Sequence, residues 1–153
     1  MSHAPSSKRP AFKPLYERDV YAWSQEQARL LREGRLDEID TENIAEEILD
    51  VGRNEYDKLE SALRVLLTHM LKWDHQPERR SRSWENTIIE QRDRTERQLL
   101  ENPSLKNRLA EAVRHAYRSA RREASSETDM EVAAFPEECP YEWDTILNRP
   151  VVR

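Results

Sequence analysis

Glycine is nearly missing from this chain: there are two in 153 residues. Loops that cradle phosphate through bare backbone, and tight β-hairpin turns, both need more of it, so glycine-rich nucleotide sites and hairpin-built sheets are excluded. Cysteine is scarcer still; the single Cys139 forms no intrachain disulfide and suits a reducing compartment. No apolar run is long enough to cross a membrane, and the opening MSHAPSSKRP lacks the apolar core of a signal peptide, so a cytoplasmic protein with no membrane contact is expected. The four histidines have no glutamate three residues before them, which excludes a ferritin-like di-iron bundle, and the His-Glu-x-x-His pattern of zinc proteases is absent. No metal and no cofactor is expected.

Charge and helix formers fill the space. Charged residues make up 36% of the chain and hydrophobic ones 37%, which allows a core only if the elements are amphipathic. The expected fold is all-α: an antiparallel bundle of about four helices around one long central helix, closed by an irregular C-terminal strap, with residues 14–148 as one domain. The net charge of −5 is unevenly spread. Residues 14–76 hold 8 Lys and Arg against 15 Asp and Glu, residues 77–122 hold 12 against 7, and residues 123–153 hold 2 against 8. A basic middle between acidic flanks points first to charge complementarity inside the bundle. Nucleic acid is not an expected partner, because Glu90, Asp93 and Glu96 interrupt Arg79, Arg80, Arg82, Arg92, Arg94 and Arg97.

The central helix runs from Asp40 to Asp74 without a proline. Asp40 or Thr41 caps it, and Glu42, Glu46 and Glu47 suit the positive end of its dipole. Ile44, Ile48, Val51, Leu59, Ala62, Leu66 and Trp73 fall within about 80° of arc, a stripe that is expected to be buried. From Leu63 onward apolar residues spread around the helix, as they do on an element surrounded by others. Before it, residues 1–13 read as a loose arm. Leu15 to Glu33 read as a first helix, ended by Gly34 in a left-handed C-cap. After Gln76-Pro77, a third helix capped by Ser81 or Ser83 runs to about Glu101, with Trp84, Ile88, Thr95 and Leu99 inward. Asn102-Pro103 starts a fourth, which runs to about Glu123 and buries Leu105, Leu109, Ala112, Val113, Ala116 and Ala120. Beyond Ala124, prolines and scattered aromatics replace the helical period. Phe135, Tyr141, Trp143, Ile146 and Leu147 are too apolar for a solvated tail and are expected to fill a groove left by the helices, with their acidic neighbours beside the basic helices.

Two groups sit on the stripe that should be buried without belonging to a core. Glu55, if it is not simply exposed, needs either a structural partner, an Arg or Trp N–H from another helix, or a polar pocket beside Gly52. His69 lies next to Lys72, Trp73 and His75 where the helix ends, as a hydrogen-bonded structural histidine or part of a site. About 21 Å of helix separates it from Glu55, so the two cannot share a ligand. These five residues, Glu55, His69, Lys72, Trp73 and His75, are the ligand-binding candidates; no residue is assigned a catalytic role. Glu111 and His115, one turn apart, form either a cation chelate or a surface pair.

The phrases NIAEEILDVGR, LLTHMLKW, SWENTI, NPSLKNRL, AYRSA and ECPYEWDTIL, in this order, resemble the bacterial family known as domain of unknown function twenty-nine. The resemblance covers roughly residues 16–148. It implies a helical bundle and assigns no activity. A non-enzymatic interaction protein is therefore expected, with an unidentified protein partner or a second copy of itself as a homodimer. The alternative is a small-ligand or hydrolytic site inside the bundle near His69 or Glu55.

Overall fold

The computed structural model describes residues 12–153, and every regular element among them is helical. The order is α1 (Phe12–Arg18), α2 (Val20–Arg32), α3 (Thr41–His75), α4 (Arg82–Glu101), α5 (Leu109–Thr128) and α6 (Trp143–Asn148), with 3-10 turns at Pro77–Arg79, Pro103–Arg108 and Val132–Ala134. The arm assigned to residues 1–13 lies outside the described residues as far as residue 11; Phe12 and Lys13 open α1. Two compact units divide the chain, one ending at Gly52 and the other running from Arg53 to Arg153.

In the first unit, the helix expected over Leu15 to Glu33 is broken in two at Asp19. There the backbone leaves the helical region at φ −155°, and the carboxylate accepts the N–H of Ala22 at 2.9 Å. A side chain that satisfies an orphan helical donor favours a restart over continuation. α2 ends as expected at Gly34, whose φ of +71° is costly for any residue with a Cβ. The N–H of Gly34 reaches the carbonyl of Leu31 and that of Arg35 the carbonyl of Leu30, a Schellman closure. Trp23, Gln27 and Leu30 are the buried face of α2. Asp40 joins it to α3: its carboxylate accepts the Trp23 indole N–H at 3.0 Å and the Asn43 side-chain amide at 2.7 Å, and its own N–H donates to Gln27 at 2.7 Å.

The second unit holds the main core. From α3 come Tyr56, Leu59, Leu63, Leu66, Leu67, Met70, Leu71 and Trp73; α4 adds Ile88 and Leu99. α5 presents Ala112, Ala116, Ala120 and Ala124, all 0% exposed and spaced every fourth residue. A row of methyl groups along one ridge lets the helix axes approach closely. Leu105, Leu109 and Val113 only flank this core, and α5 continues past Glu123 to Thr128 before Asp129 turns it off in the left-handed region at φ +55°. Ser81 caps α4 by accepting the Trp84 N–H, and Asn102, held out of the helical region by Pro103, ends it.

The expected burial of the stripe fails in the first turns of α3. Ile48 is 66% and Val51 64% exposed, whereas Leu59, Leu63 and Leu66 are fully covered. A period of 3.6 shows that a helix has an apolar face, not that another element lies on it. The C-terminal segment does fill a groove. Phe135 and Ile146 are each 1% exposed, with Tyr141, Trp143 and Leu147 half-buried around them. Its carbonyls are fastened by side chains: Tyr117 donates to Pro136 at 2.5 Å and Arg121 to Phe135 at 3.1 Å. Arg92 donates to the carbonyls of Ile146, Arg149 and Thr145 and so satisfies the open end of α6. Asp74 completes the hold, accepting Tyr141 O–H at 2.7 Å and Arg149 at 3.0 Å.

Candidate functional site

The buried segment of α3 carries polar side chains at every fourth position, Arg64, Thr68 and Lys72, and Gln76 continues the series just past its end. One face of the helix therefore runs as a polar seam through the leucines. α5 answers it. Arg64 pairs with Glu123, whose carboxylate also lies 3.3 Å from Thr68 Oγ1, Lys72 Nζ meets Glu127 at 2.5 Å, and Gln76 Nε2 donates to the Thr128 carbonyl at 3.1 Å. Lys72, 7% exposed, also lies 4.6 Å from the centroid of Trp84, whose π face favours the ammonium. This seam went unread in the sequence, although polar residues at i, i+4 in a leucine-rich helix are the signal for it.

The other candidate residues around the end of α3 do not converge. His69 is half-buried and its Nδ1–H donates to the Val65 carbonyl at 2.9 Å, which leaves Nε2 as the lone pair. Burial pushes this imidazole below its ordinary value. Trp73 is buried, with Arg80 stacked 5.1 Å from its ring and donating to its carbonyl at 2.9 Å. His75 donates to the Leu71 carbonyl and rests 4.8 Å from the ring of Phe135. Each of the two histidines thus spends one nitrogen on its own helix, one turn back.

Glu55 is half-buried and not on a covered stripe. Its carboxylate takes Lys58 at 2.6 Å, Gln98 at 2.7 Å and Asn102 at 3.3 Å, and the Gln98 amide also donates to the Glu55 carbonyl at 2.8 Å. The partners from the neighbouring helix are amides, where an Arg or Trp N–H was expected. Lys58 first, then the Gln98 hydrogen bond, holds the carboxyl below its usual range. Glu111 pairs with Arg108 at 2.8 Å, while His115 meets the Tyr56 hydroxyl at 3.2 Å, so the two do not form a chelate. Among the described residues no group of three or more His, Cys, Asp or Glu side chains is arranged to hold a metal ion. Nor is any helix among them long and apolar enough to cross a membrane.

A concavity lies elsewhere in the second unit. A groove of about 1210 Å³ runs between α5 and the segment after Phe135. Leu109, Val113, Tyr117 and Trp143 line its floor; Lys106, Arg114, Arg118 and Arg121 stand on the α5 side and Glu137, Glu138 and Glu142 on the other. The acids lie near the basic helix as the charge division suggested, but among the described residues no ion pair crosses the groove. Cys139 is half-buried there, and burial raises its thiol above the usual value, which disfavours the reactive thiolate. A smaller groove of about 370 Å³ between α3 and α4 is lined by Lys58, Ser61, Val65, Arg94 and Arg97. None of the five candidate residues lines either groove.

No curated protein and no solved structure matches the chain. A family model does match, over residues 15–151, and its description is Domain of unknown function DUF29. With nearly the whole helical region covered by that match, the chain belongs to the DUF29 family.

Proposed function

We propose that this chain is a bacterial, cytoplasmic, non-enzymatic interaction protein, and that the first turns of α3 form its docking face. One observation carries the reading. Ala45, Ile48, Leu49 and Gly52, at positions i, i+3, i+4 and i+7, are all exposed on one side of α3, with Val51 beside them. Isolated apolar residues on a surface need no explanation, but three large ones within one turn are a patch of the kind that partners cover. Small residues at both ends give the patch shallow edges; a Cβ added at Gly52 meets nothing within 4 Å.

The alternative, a ligand or hydrolytic site near His69 or Glu55, has less support. Catalysis wants a nucleophile in contact with a base, and the hydrogen bond recorded for the His69 ring ends on a backbone carbonyl. Glu55 is fully engaged by three side-chain donors. The test compares the tagged chain with the Ile48→Ser, Leu49→Ser, Val51→Ser variant in recovering native partners from cells. The expected result is an unchanged melting temperature, because the replaced residues are exposed, together with loss of the recovered proteins. Recovery of the same proteins by the variant would remove the face from this role.

A further inference from the structure

The exposed face of α3 and the groove beside α5 are complementary in charge and in shape. The face is a convex apolar ridge whose edge carries Glu42 and Glu46 one turn apart. The groove is concave, with an apolar floor at Leu109, Val113 and Tyr117. Its α5 edge carries Arg114 and Arg118 one turn apart, both exposed, while Glu137, Glu138 and Glu142 stand on the opposite edge. Cations spaced by whole turns match carboxylates spaced by whole turns. At about 1210 Å³ the groove exceeds the roughly 300–1,000 Å³ of small-molecule pockets, as a site for a helix would.

From this complementarity we infer that the α3 face of one copy docks in the α5 groove of a second copy. The inference rests on the reading of that face as a docking surface and names its occupant. Charge decides against the simpler symmetric pairing. Two α3 faces laid together would bring their acidic edges into one interface, whereas face into groove sets carboxylates against guanidinium groups. Each copy then offers one face and one groove, so the contact is head to tail and either closes reciprocally into a dimer or grows.

Sedimentation of the full-length chain over a range of concentrations tests this, with two charge-reversed variants. Arg114→Glu, Arg118→Glu makes the groove acidic, and Glu42→Lys, Glu46→Lys makes the face basic. Wild type is expected to associate with rising concentration, and each variant alone to associate at least tenfold more weakly. An equal mixture of the two should recover association, since every face again meets a groove of opposite charge. Circular dichroism melts establish that the variants are folded. Should a reversed variant unfold, Arg114→Gln, Arg118→Gln replaces it, with weakened association as the expected result.

A wild type that stays monomeric up to hundreds of micromolar overturns the inference. So does association that survives either reversal, or a mixture that fails to recover it. A monomer whose Ile48, Leu49 and Val51 substitutions still abolish recovery of other proteins would overturn self-docking alone and leave the docking face standing.

Discussion

A histidine that gives its Nδ1–H to a carbonyl of its own helix is fixed in one tautomer, and at His69 this happens in a half-buried place that opposes the charged ring. The folded value therefore lies below the unfolded value of 6.5. On acidification the unfolded chain takes up this proton first. The contribution of His69 to stability is complete above about pH 6.5 and is lost as pH falls toward the lower folded value. His69→Gln removes the titration, so its melting temperature is expected to drop less than that of wild type between pH 7 and pH 5. Parallel curves for the two proteins would mean that the imidazole is solvated in the fold. Lys72 shows the opposite solution at the same helix end. There a side chain at 7% exposure places its Nζ against Glu127 and the Trp84 ring, which replace the water it lost.

Among the elements, the C-terminal segment carries the clearest expectation. Two fully buried side chains are worth roughly 1.5 to 3 kcal/mol each before ordering costs, and Arg92, Tyr117 and Asp74 hold the segment through backbone and hydroxyl groups. Truncation after Ala134 is expected to lower the melting temperature markedly, and Arg92→Ala, which leaves three carbonyls without that donor, to lower it less. An intact melt for the truncated chain would make the segment an appendage. Its burial was legible because five large apolar side chains in a proline-bearing stretch have few other uses. Helix identity and the caps at Ser81 and Gly34 were equally legible, since local hydrogen bonding decides them. Asp19 was missed because a single aspartate within a periodic stretch reads as a surface residue, and only its capping bond to Ala22 breaks the helix. For the site, the sequence marked Glu55 and His69 as odd but not their partners. Gln98 and Asn102 lie forty-odd residues from Glu55, and no local pattern announces such a pairing. The α5 groove was invisible for the same reason, being made by two segments at once.

Over the whole molecule, part of the basic middle region is spent on internal work. Arg80 serves the Trp73 carbonyl, Arg92 the C-terminal segment, Arg94 pairs with Glu90 and Arg97 with Asp93. Glu90, Asp93 and Glu96 interrupt the basic helix and the chain as a whole carries a net charge of −5, so DNA and RNA are expected to bind more weakly than roughly 10 μM at physiological salt. Fluorescence anisotropy checks this, and a submicromolar affinity falling steeply with salt would refute it. The placement of Phe135 and Ile146 also has a consequence for how the chain is born. A ribosome makes α3 first and supplies these two plugs only after α4 and α5, about four to sixteen seconds later for the eighty-odd residues from Leu66 to Ile146. Throughout that interval the nascent chain lacks the side chains that finish covering the leucines of α3. Translation speed across α4 and α5 therefore sets how long a newborn chain spends open to chaperones and to its neighbours on the same message.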